Sequence, residues 1–127
     1  MPKKKAEEVL KELKKLKNIV ITEDVINFIL SIEAKAADKI LRSIMLLSEF
    51  GFYLPKTEYH RLWGSKYKLW ELITSFGNNE YRSLFFCVND GKFLIAHAIL
   101  KKTKKVPAKD IKIAENVYDE WLIEGGK

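Results

Sequence analysis

The chain has 127 residues, and 47% of them are hydrophobic, which predicts one folded domain over residues 1–127 and excludes a disordered chain. Its 23 lysines and arginines outnumber 17 aspartates and glutamates, and the net charge of +6 favours an anionic partner such as nucleic acid. No apolar run approaches the roughly 20 residues that span a bilayer, so we expect no membrane partner. The single cysteine, Cys87, cannot form an intramolecular disulfide, which fits a cytoplasmic location.

The chain begins with a predicted amphipathic helix. Over residues 5–17, apolar side chains recur three and four positions apart among lysines and glutamates. Its lysines are more typical of a solvated face than of a phosphate-binding one. Residues 18–21 are compatible with a short strand or with a simple link. We interpret residues 1–20 as a helix appended to the rest of the domain.

A helical pair is predicted next. Thr22 is typical of an N-cap, with acidic residues in the first turn behind it. Residues 34–50 place apolar side chains on one helical face, and Gly51 stands where a left-handed C-terminal cap is expected. The following stretch, 51–65, has turn-forming residues and is predicted to be a loop. Four aromatic residues are expected to anchor it: Phe52, Tyr53, Tyr59 and Trp63.

Three strands and a final helix complete the prediction. Residues 67–76, 81–88 and 92–100 are rich in aromatic and β-branched side chains, and Gly, Asn and Asp residues mark the turns between them. The second and third strands are apolar on both faces, so both sides of the sheet should be covered. Pro107 is placed to begin the last helix. The pattern predicts an α+β fold: an antiparallel meander packed by an N-terminal helical pair and a C-terminal helix.

Metal and cofactor chemistry find little support in the sequence. Two distant histidines and one cysteine offer no ligand pair at a usual spacing, and no phosphate loop or dinucleotide motif is present. We therefore expect no metal and no cofactor. A nucleophilic pair of Cys87 and His97 is conceivable, but both stand in apolar strands and are expected to face the core.

Basic residues are the remaining candidates for function. They are interleaved with Tyr59, Tyr67 and Tyr81, a pattern that is typical of proteins that bind single-stranded nucleic acid through phosphates and bases. An alternative is that the lysines only solvate the end of the sheet while the tyrosines fill its rim. The basic set comprises His60, Arg61, Lys66, Lys68, Arg82, Lys101, Lys102, Lys104 and Lys105.

The order of several motifs points to a known family. The segments KLWELITSFGNNEYRSLFF and GKFLIAHAILKKTKKVP, followed by a helix that begins KDIKIAE, resemble the HigB/RelE toxins of bacterial toxin–antitoxin modules, in particular their phage-derived HigB-like branch. The resemblance covers about residues 22–122, including the helical pair and its LLSEFG ending. It implies a RelE-like fold and an endoribonuclease that cuts mRNA on the ribosome without a metal. The partner that it implies is a cognate antitoxin, often a helix-turn-helix protein.

The resemblance also implies roles for individual residues. Arg82 matches the family's Tyr-Arg position and would hold the phosphate, because its planar fork can grip two oxygens. His60 and Lys68 lie around the family's basic loop and strand entry, and Lys102 belongs to its Lys-Lys-Thr motif, so these three are further catalytic candidates. The predicted RNA-binding residues are Arg61, Lys66, Tyr81, Lys101, Lys104 and Lys105. For Tyr81, stacking on a base and stiffening of the sheet are equally compatible with the sequence.

One position departs from the family pattern in a way that concerns activity. Ile73 stands where the family usually has arginine after Leu-aromatic-Glu-Leu. Loss of one transition-state contact costs about 100- to 1,000-fold in rate, so we hypothesise that Ile73 marks an attenuated toxin. Two alternatives remain open: a non-catalytic module that binds RNA or the ribosome, and a structural protein whose basic patch binds an acidic partner.

Overall fold

A computed structural model of the protein describes residues 2–125, with side chains described from Ala6 onward. The ends of the predicted domain over residues 1–127 lie outside this range. Within residues 2–125, four helices and five strands follow one another, with short 3-10 turns at Gly51–Tyr53 and Asn89–Gly91. In chain order they are α1 (Pro2–Lys14), β1 (Ile19–Ile21), α2 (Glu23–Ser31), α3 (Ala34–Phe50), β2 (Tyr59–Leu62), β3 (Leu69–Phe76), β4 (Asn79–Val88), β5 (Lys92–Lys101) and α4 (Ala108–Ile123).

The strands form one sheet in the order β1-β5-β4-β3-β2. Strands β2 to β5 make the antiparallel meander, so the predicted α+β class is confirmed. The sheet is nevertheless mixed, because β1 pairs in parallel with β5 through Ile19 and Phe93. Residues 18–21, which the sequence left open as strand or link, therefore contain a strand. Its three residues are too few to show an alternating pattern.

The stretch predicted as a loop contains β2, which corrects that prediction. Tyr59 of this strand pairs with Leu72 of β3. Four residues with two basic side chains lack the apolar alternation by which strands are recognised. Two of the four predicted aromatic anchors are also wrong, since Tyr53 is 96% exposed and Trp63 is 75% exposed.

Helices α1, α2 and α3 cover one face of the sheet. Leu13 of α1, Leu41 of α3 and Phe85 of β4 belong to one core cluster and are completely buried. Thr22 caps α2 as predicted, because its side chain accepts a hydrogen bond from the backbone N–H of Val25 at 3.4 Å. Gly51 is the C-cap residue of α3, as predicted, and its positive φ of 55° is one that glycine adopts readily. Its ψ of −134° differs from the left-handed conformation that was predicted for it.

The single helix α4 covers the opposite face. Leu84, Phe86 and Leu94 pack there with Ala114 and Trp121 in a second core cluster. Covered faces on both sides explain why β4 and β5 are apolar on both sides, as the sequence predicted. Pro107 immediately precedes α4 as its N-cap residue, one position before the first helical residue. Because α4 is the only helix on this side among the described residues, it covers only part of the sheet face.

Replacement of Leu13 tests whether α1 is an integral part of the core. The side chain is 0% exposed and packs with α3, so Leu13→Ala should lower the free energy of unfolding by about 2–5 kcal/mol. Urea denaturation gives this value, and Lys11→Ala on the exposed side of the same helix is the control. A loss below about 0.5 kcal/mol for both variants would contradict the packing of α1 against the core.

Candidate functional site

Beyond the N-terminal end of α4, the side of the sheet that carries this helix has a group of polar side chains, two of them buried. Residues that face each other across neighbouring strands point to the same side, and the pairs here are His60 with Glu71, Ile73 with Arg82, Arg82 with Ile99, and Glu80 with Lys101. We call the polar members of this surface the Arg82 face. It consists of His60, Glu71, Glu80, Arg82 and Lys101.

Arg82 lies at the centre of this face and is paired with two carboxylates. Its Nη1 donates a hydrogen bond to Glu71 at 2.5 Å, and its Nη2 donates one to Glu80. The Arg82 side chain is 7% exposed and that of Glu71 is 8% exposed, whereas the Glu80 side chain is 46% exposed. The third guanidinium nitrogen, Nε, is buried without a hydrogen-bond partner among the residues that the structure describes.

The charges on the Arg82 face act on one another. Burial lowers the pKa of Arg82, but its hydrogen bonds to Glu80 and Glu71 outweigh burial and leave the pKa above its ordinary value. The hydrogen bond from Arg82 lowers the pKa of Glu80 in turn, and burial opposes this effect only in part. The positive charges of Lys101 and His60 also lower it. These five groups are therefore close enough to form one electrostatic cluster.

The predicted lysine run continues from this face. Lys101 ends β5, and Lys102, Lys104 and Lys105 are exposed in the segment that leads to α4. Lys101 and Lys102 line a cavity of about 320 Å³, together with Lys109 of α4. Its wall includes Ile99, which faces Arg82 across the strand pair. The structure thus joins the lysine run to the Arg82 face through Lys101, with a cavity whose walls come from the end of β5, the start of α4 and Phe28 of α2.

His97 and Asp110 hold the start of α4 against the sheet. The Nε2 atom of His97 lies 2.8 Å from Oδ1 of Asp110, and both side chains are largely buried. His97 therefore has a structural partner, and Asp110 was not singled out from the sequence. The expectation that Cys87 faces the core is wrong, because Cys87 is exposed near the far end of β4. Partial desolvation of its sulfur raises the pKa of the thiol and so disfavours the nucleophilic thiolate.

Lys66 lies at the other end of α4 and fastens a loop there. Its Nζ is 3.3 Å from Oδ2 of Asp119, and its backbone N–H donates to Glu115 at 2.9 Å. The hydroxyl of Tyr67 also donates to Asp119. Asp110 and Asp119 are nine residues apart in the helix, which corresponds to about 14 Å, so Lys66 is well separated from the Arg82 face.

Two further predicted residues lie on the opposite side of the sheet. Lys68 lies near Cys87, and the alternation of β3 puts it on the face of α1 to α3. Lys68 is also five residues before Ile73, the residue opposite Arg82, which corresponds to about 17 Å along a strand. Arg61 likewise alternates away from His60 and packs over Trp63, with 4.4 Å between the guanidinium carbon and the ring centroid.

Tyr81 and Ile73 complete the placement of the predicted residues. Tyr81 is 5% exposed and meets the ring of Phe28 edge to face, with 6.3 Å between the ring centroids. This location supports a packing role. Ile73 is directly opposite Arg82 and is partly buried, so it shares the side of the sheet that carries Glu71. The functional groups that sequence reasoning missed are Glu71 and Glu80. Glu71 can be related to Arg82 only once the register of β3 and β4 is known, whereas Glu80 lies two residues before Arg82 and shares its side of β4 by alternation.

The fastening of the loop by Glu115 predicts a specific pH dependence of stability. The N–H of Lys66 lowers the pKa of Glu115 against the effect of burial, and Ser65 adds to this lowering. A carboxylate whose folded pKa is depressed contributes stability above its ordinary pKa, near 4.5, and loses it as the pH falls through the lower folded value. Glu115→Gln should therefore unfold at lower urea concentration at pH 7, and its difference from the parent protein should shrink below about pH 4.

The matched control is Glu120→Gln, since Glu120 is exposed on the same helix. It should show little difference at either pH. A Glu115→Gln deficit that stays constant from pH 7 to pH 3 would contradict the role of the carboxylate charge in holding this loop.

Two features are absent from the described part of the chain: a metal-binding group of side chains and a membrane-spanning helix. Over residues 2–125, no group of three or more His, Cys, Asp or Glu side chains is arranged to hold a metal ion. No helix in that range is long and apolar enough to cross a membrane.

Comparison with known proteins assigns the chain to a family. No curated protein matches it. Residues 27–119, more than half of the chain, match the family described as phage derived protein Gp49-like (DUF891). The match begins within α2 and ends within α4, so it includes every strand of the Arg82 face and leaves out α1. The chain therefore belongs to the phage-derived Gp49-like family, a RelE/HigB-like toxin family of toxin–antitoxin systems.

Proposed function

We propose that the protein is the toxin of a toxin–antitoxin module and that it cleaves mRNA without a metal, on the ribosome. The observation that carries this proposal is the Arg82 face, where an arginine fork, a histidine and a lysine surround one point of the sheet. The lysine run beside this face supplies positive charge for the RNA backbone. Membership of a toxin-like family supports the toxin role in general.

The reaction would use the ribose 2′-hydroxyl as nucleophile. Loss of its proton allows the oxygen to attack the adjacent phosphorus, and the bond to the 5′ oxygen breaks as that oxygen gains a proton. Arg82 would hold the phosphate and stabilise its added negative charge. His60 would accept the proton of the 2′-hydroxyl as general base, and water would give the leaving 5′ oxygen its proton, which leaves a 2′,3′-cyclic phosphate and a free 5′-hydroxyl. Lys102 would provide further positive charge at the phosphate.

The proposed reaction centre thus contains three of the four predicted catalytic residues and leaves out Lys68. Lys68 lies on the opposite side of the sheet from the other three. For RNA binding we propose Lys101, Lys104 and Lys105, which extend from the Arg82 face. The cavity of about 320 Å³ beside β5 would accept part of a nucleotide.

We propose that a cognate antitoxin, a helix-turn-helix protein, silences the toxin by covering this basic surface. Acidic side chains of the partner would complement the exposed lysines between β5 and α4. An antitoxin bound there would exclude RNA by occupying the same positive charges. Sequencing of the neighbouring gene would test this part of the proposal: a short reading frame that encodes a DNA-binding protein supports it.

A second candidate function is a module that binds RNA or the ribosome without cutting. Two observations favour it: Arg82 is already paired with two carboxylates, and its neighbour at position 73 is aliphatic. Such a protein would retain the cationic surface and its salt-sensitive affinity for RNA. It would lack the additional transition-state contact that an arginine at position 73 supplies in related toxins.

Cleavage of mRNA in a translating extract separates these two functions. Replacement Arg82→Lys keeps a positive charge between Glu71 and Glu80 but removes the planar fork, so cleavage should fall about 100- to 1,000-fold. The control is Lys11→Ala on α1, which should cut like the parent protein. Salt-sensitive RNA binding without any cut by the parent protein would favour the binding module, and full activity of Arg82→Lys would contradict the role of the fork.

Restoration of arginine at position 73 tests the attenuation hypothesis. Ile73 faces Arg82 beside Glu71, so Ile73→Arg brings a second guanidinium to the same phosphate and should raise cleavage about 100-fold, with stronger growth arrest on expression. Ile73→Gln adds a polar side chain without a charge, so it distinguishes the effect of charge from that of polarity and should give no such gain. Unchanged cleavage and growth with Ile73→Arg would show that the residue does not limit activity.

A further inference from the structure

The two carboxylates on Arg82 differ in how easily they can leave. Glu71 is on the central part of β3 with an 8% exposed side chain, so its release would leave a buried charge without its partner. Glu80 stands near the start of β4, and almost half of its side chain is exposed. Water can therefore solvate Glu80 when its hydrogen bond to Arg82 breaks, whereas Glu71 is held in the sheet.

We propose that Glu80 is a built-in substitute for the RNA phosphate, which pairs with Arg82 in the free protein and is displaced when RNA binds. This inference rests on the proposed function, since it takes its ligand from there. A carboxylate and a phosphodiester each offer negatively charged oxygens to an arginine fork. The exchange at Nη2 keeps an anion beside the buried guanidinium at every stage, while Glu71 remains on Nη1.

The surroundings of Glu80 provide for its displacement. Lys101 is its register partner on β5, and the charges of Lys101 and His60 both act on its carboxylate. Displaced Glu80 can remain near Lys101 without entering the core. Glu80 thereby acts as a positioning residue with two effects: it orients the fork of Arg82 before RNA arrives, and it lowers RNA affinity because phosphate has to compete with it.

Glu80→Gln tests this competition, because the amide oxygen can still accept a hydrogen bond from Arg82 but carries no charge. The probe is a single-stranded oligonucleotide with 2′-O-methyl riboses, which lacks the nucleophile and is not cut. Binding to the full chain should become roughly three- to tenfold tighter. The slope of log affinity against log salt concentration should steepen by up to about 0.7, the contribution of one phosphate contact.

Glu49→Gln is the control for net charge, because Glu49 is an exposed residue of α3 on the other side of the sheet. Its affinity and salt slope should stay close to those of the parent protein. A direct readout comes from the ¹⁵N signals of the Arg82 guanidinium, which should shift when the oligonucleotide is added to the parent protein. If loss of the ion pair with Arg82 only loosens the fold, the Glu80→Gln variant should show a lower unfolding midpoint and no gain in affinity for the oligonucleotide.

The outcomes separate this inference from the proposed function. Equal affinities and slopes for Glu80→Gln and Glu49→Gln overturn the competition, and cleavage by the parent protein would leave the proposed function intact. Absence of oligonucleotide binding by every variant, together with absence of mRNA cleavage, overturns both. Tighter binding and a steeper slope for Glu80→Gln alone, with a shifted Arg82 signal, support the role of Glu80.

Discussion

The pairing of Arg82 with Glu71 and Glu80 is the constraint on which the rest of the candidate site depends. A guanidinium with 7% exposure is costly to bury unless anions surround it. The register of β3 and β4 brings Glu71 to Arg82, and Glu80 lies two residues before Arg82 on the same side of β4. The same pairing puts Ile73 opposite Arg82, and the pairing of β4 with β5 puts Lys101 opposite Glu80. The two pairings of β4 therefore decide the positions of the altered family residue and of the first residue of the lysine run relative to Arg82.

Partial coverage by α4 makes this surface available. At its C-terminal end, the helix is fastened through Glu115 and Asp119 to the loop before β3, and at its N-terminal end through Asp110 to His97. The apolar residues Leu84 and Phe86 are covered between these points. Arg82 lies beyond the helix on the same side of β4, where it is itself buried, and the exposed lysines begin at this end of the sheet. The helix thus both completes the core and limits where an anionic partner can approach.

Much of the fold could be predicted from the sequence because its signals are local. Thr22 and Gly51 specify helix ends through their own chemistry, and apolar residues on both faces of β4 and β5 indicate helices on both sides. β1 and β2 have three and four residues, which is too short for a recognisable alternation. Tyr53 and Trp63 show that an aromatic residue in a loop does not by itself indicate burial.

The candidate site was less predictable because it depends on register and on which side of the sheet a residue faces. Lys66, Lys68 and Arg82 are equally basic in the sequence, yet Lys66 fastens a loop, Lys68 faces the other side, and Arg82 is buried between carboxylates. Glu80 was not predicted, because a pattern of basic residues does not indicate which acidic residues pair with them. In this fold, the positions of the acidic side chains determine which basic side chain is oriented for phosphate binding.

The most direct test of the account is to map where RNA contacts the protein. Single-stranded RNA that contains 4-thiouridine can be cross-linked by light to the full chain, and the attached peptides can be identified by mass spectrometry. Cross-links within residues 99–109 and at His60, on the side of the Arg82 face, are the predicted result. Cross-links confined to Trp63 and Lys68, on the opposite side of the sheet, would contradict the central claim that the Arg82 face is the RNA-binding surface.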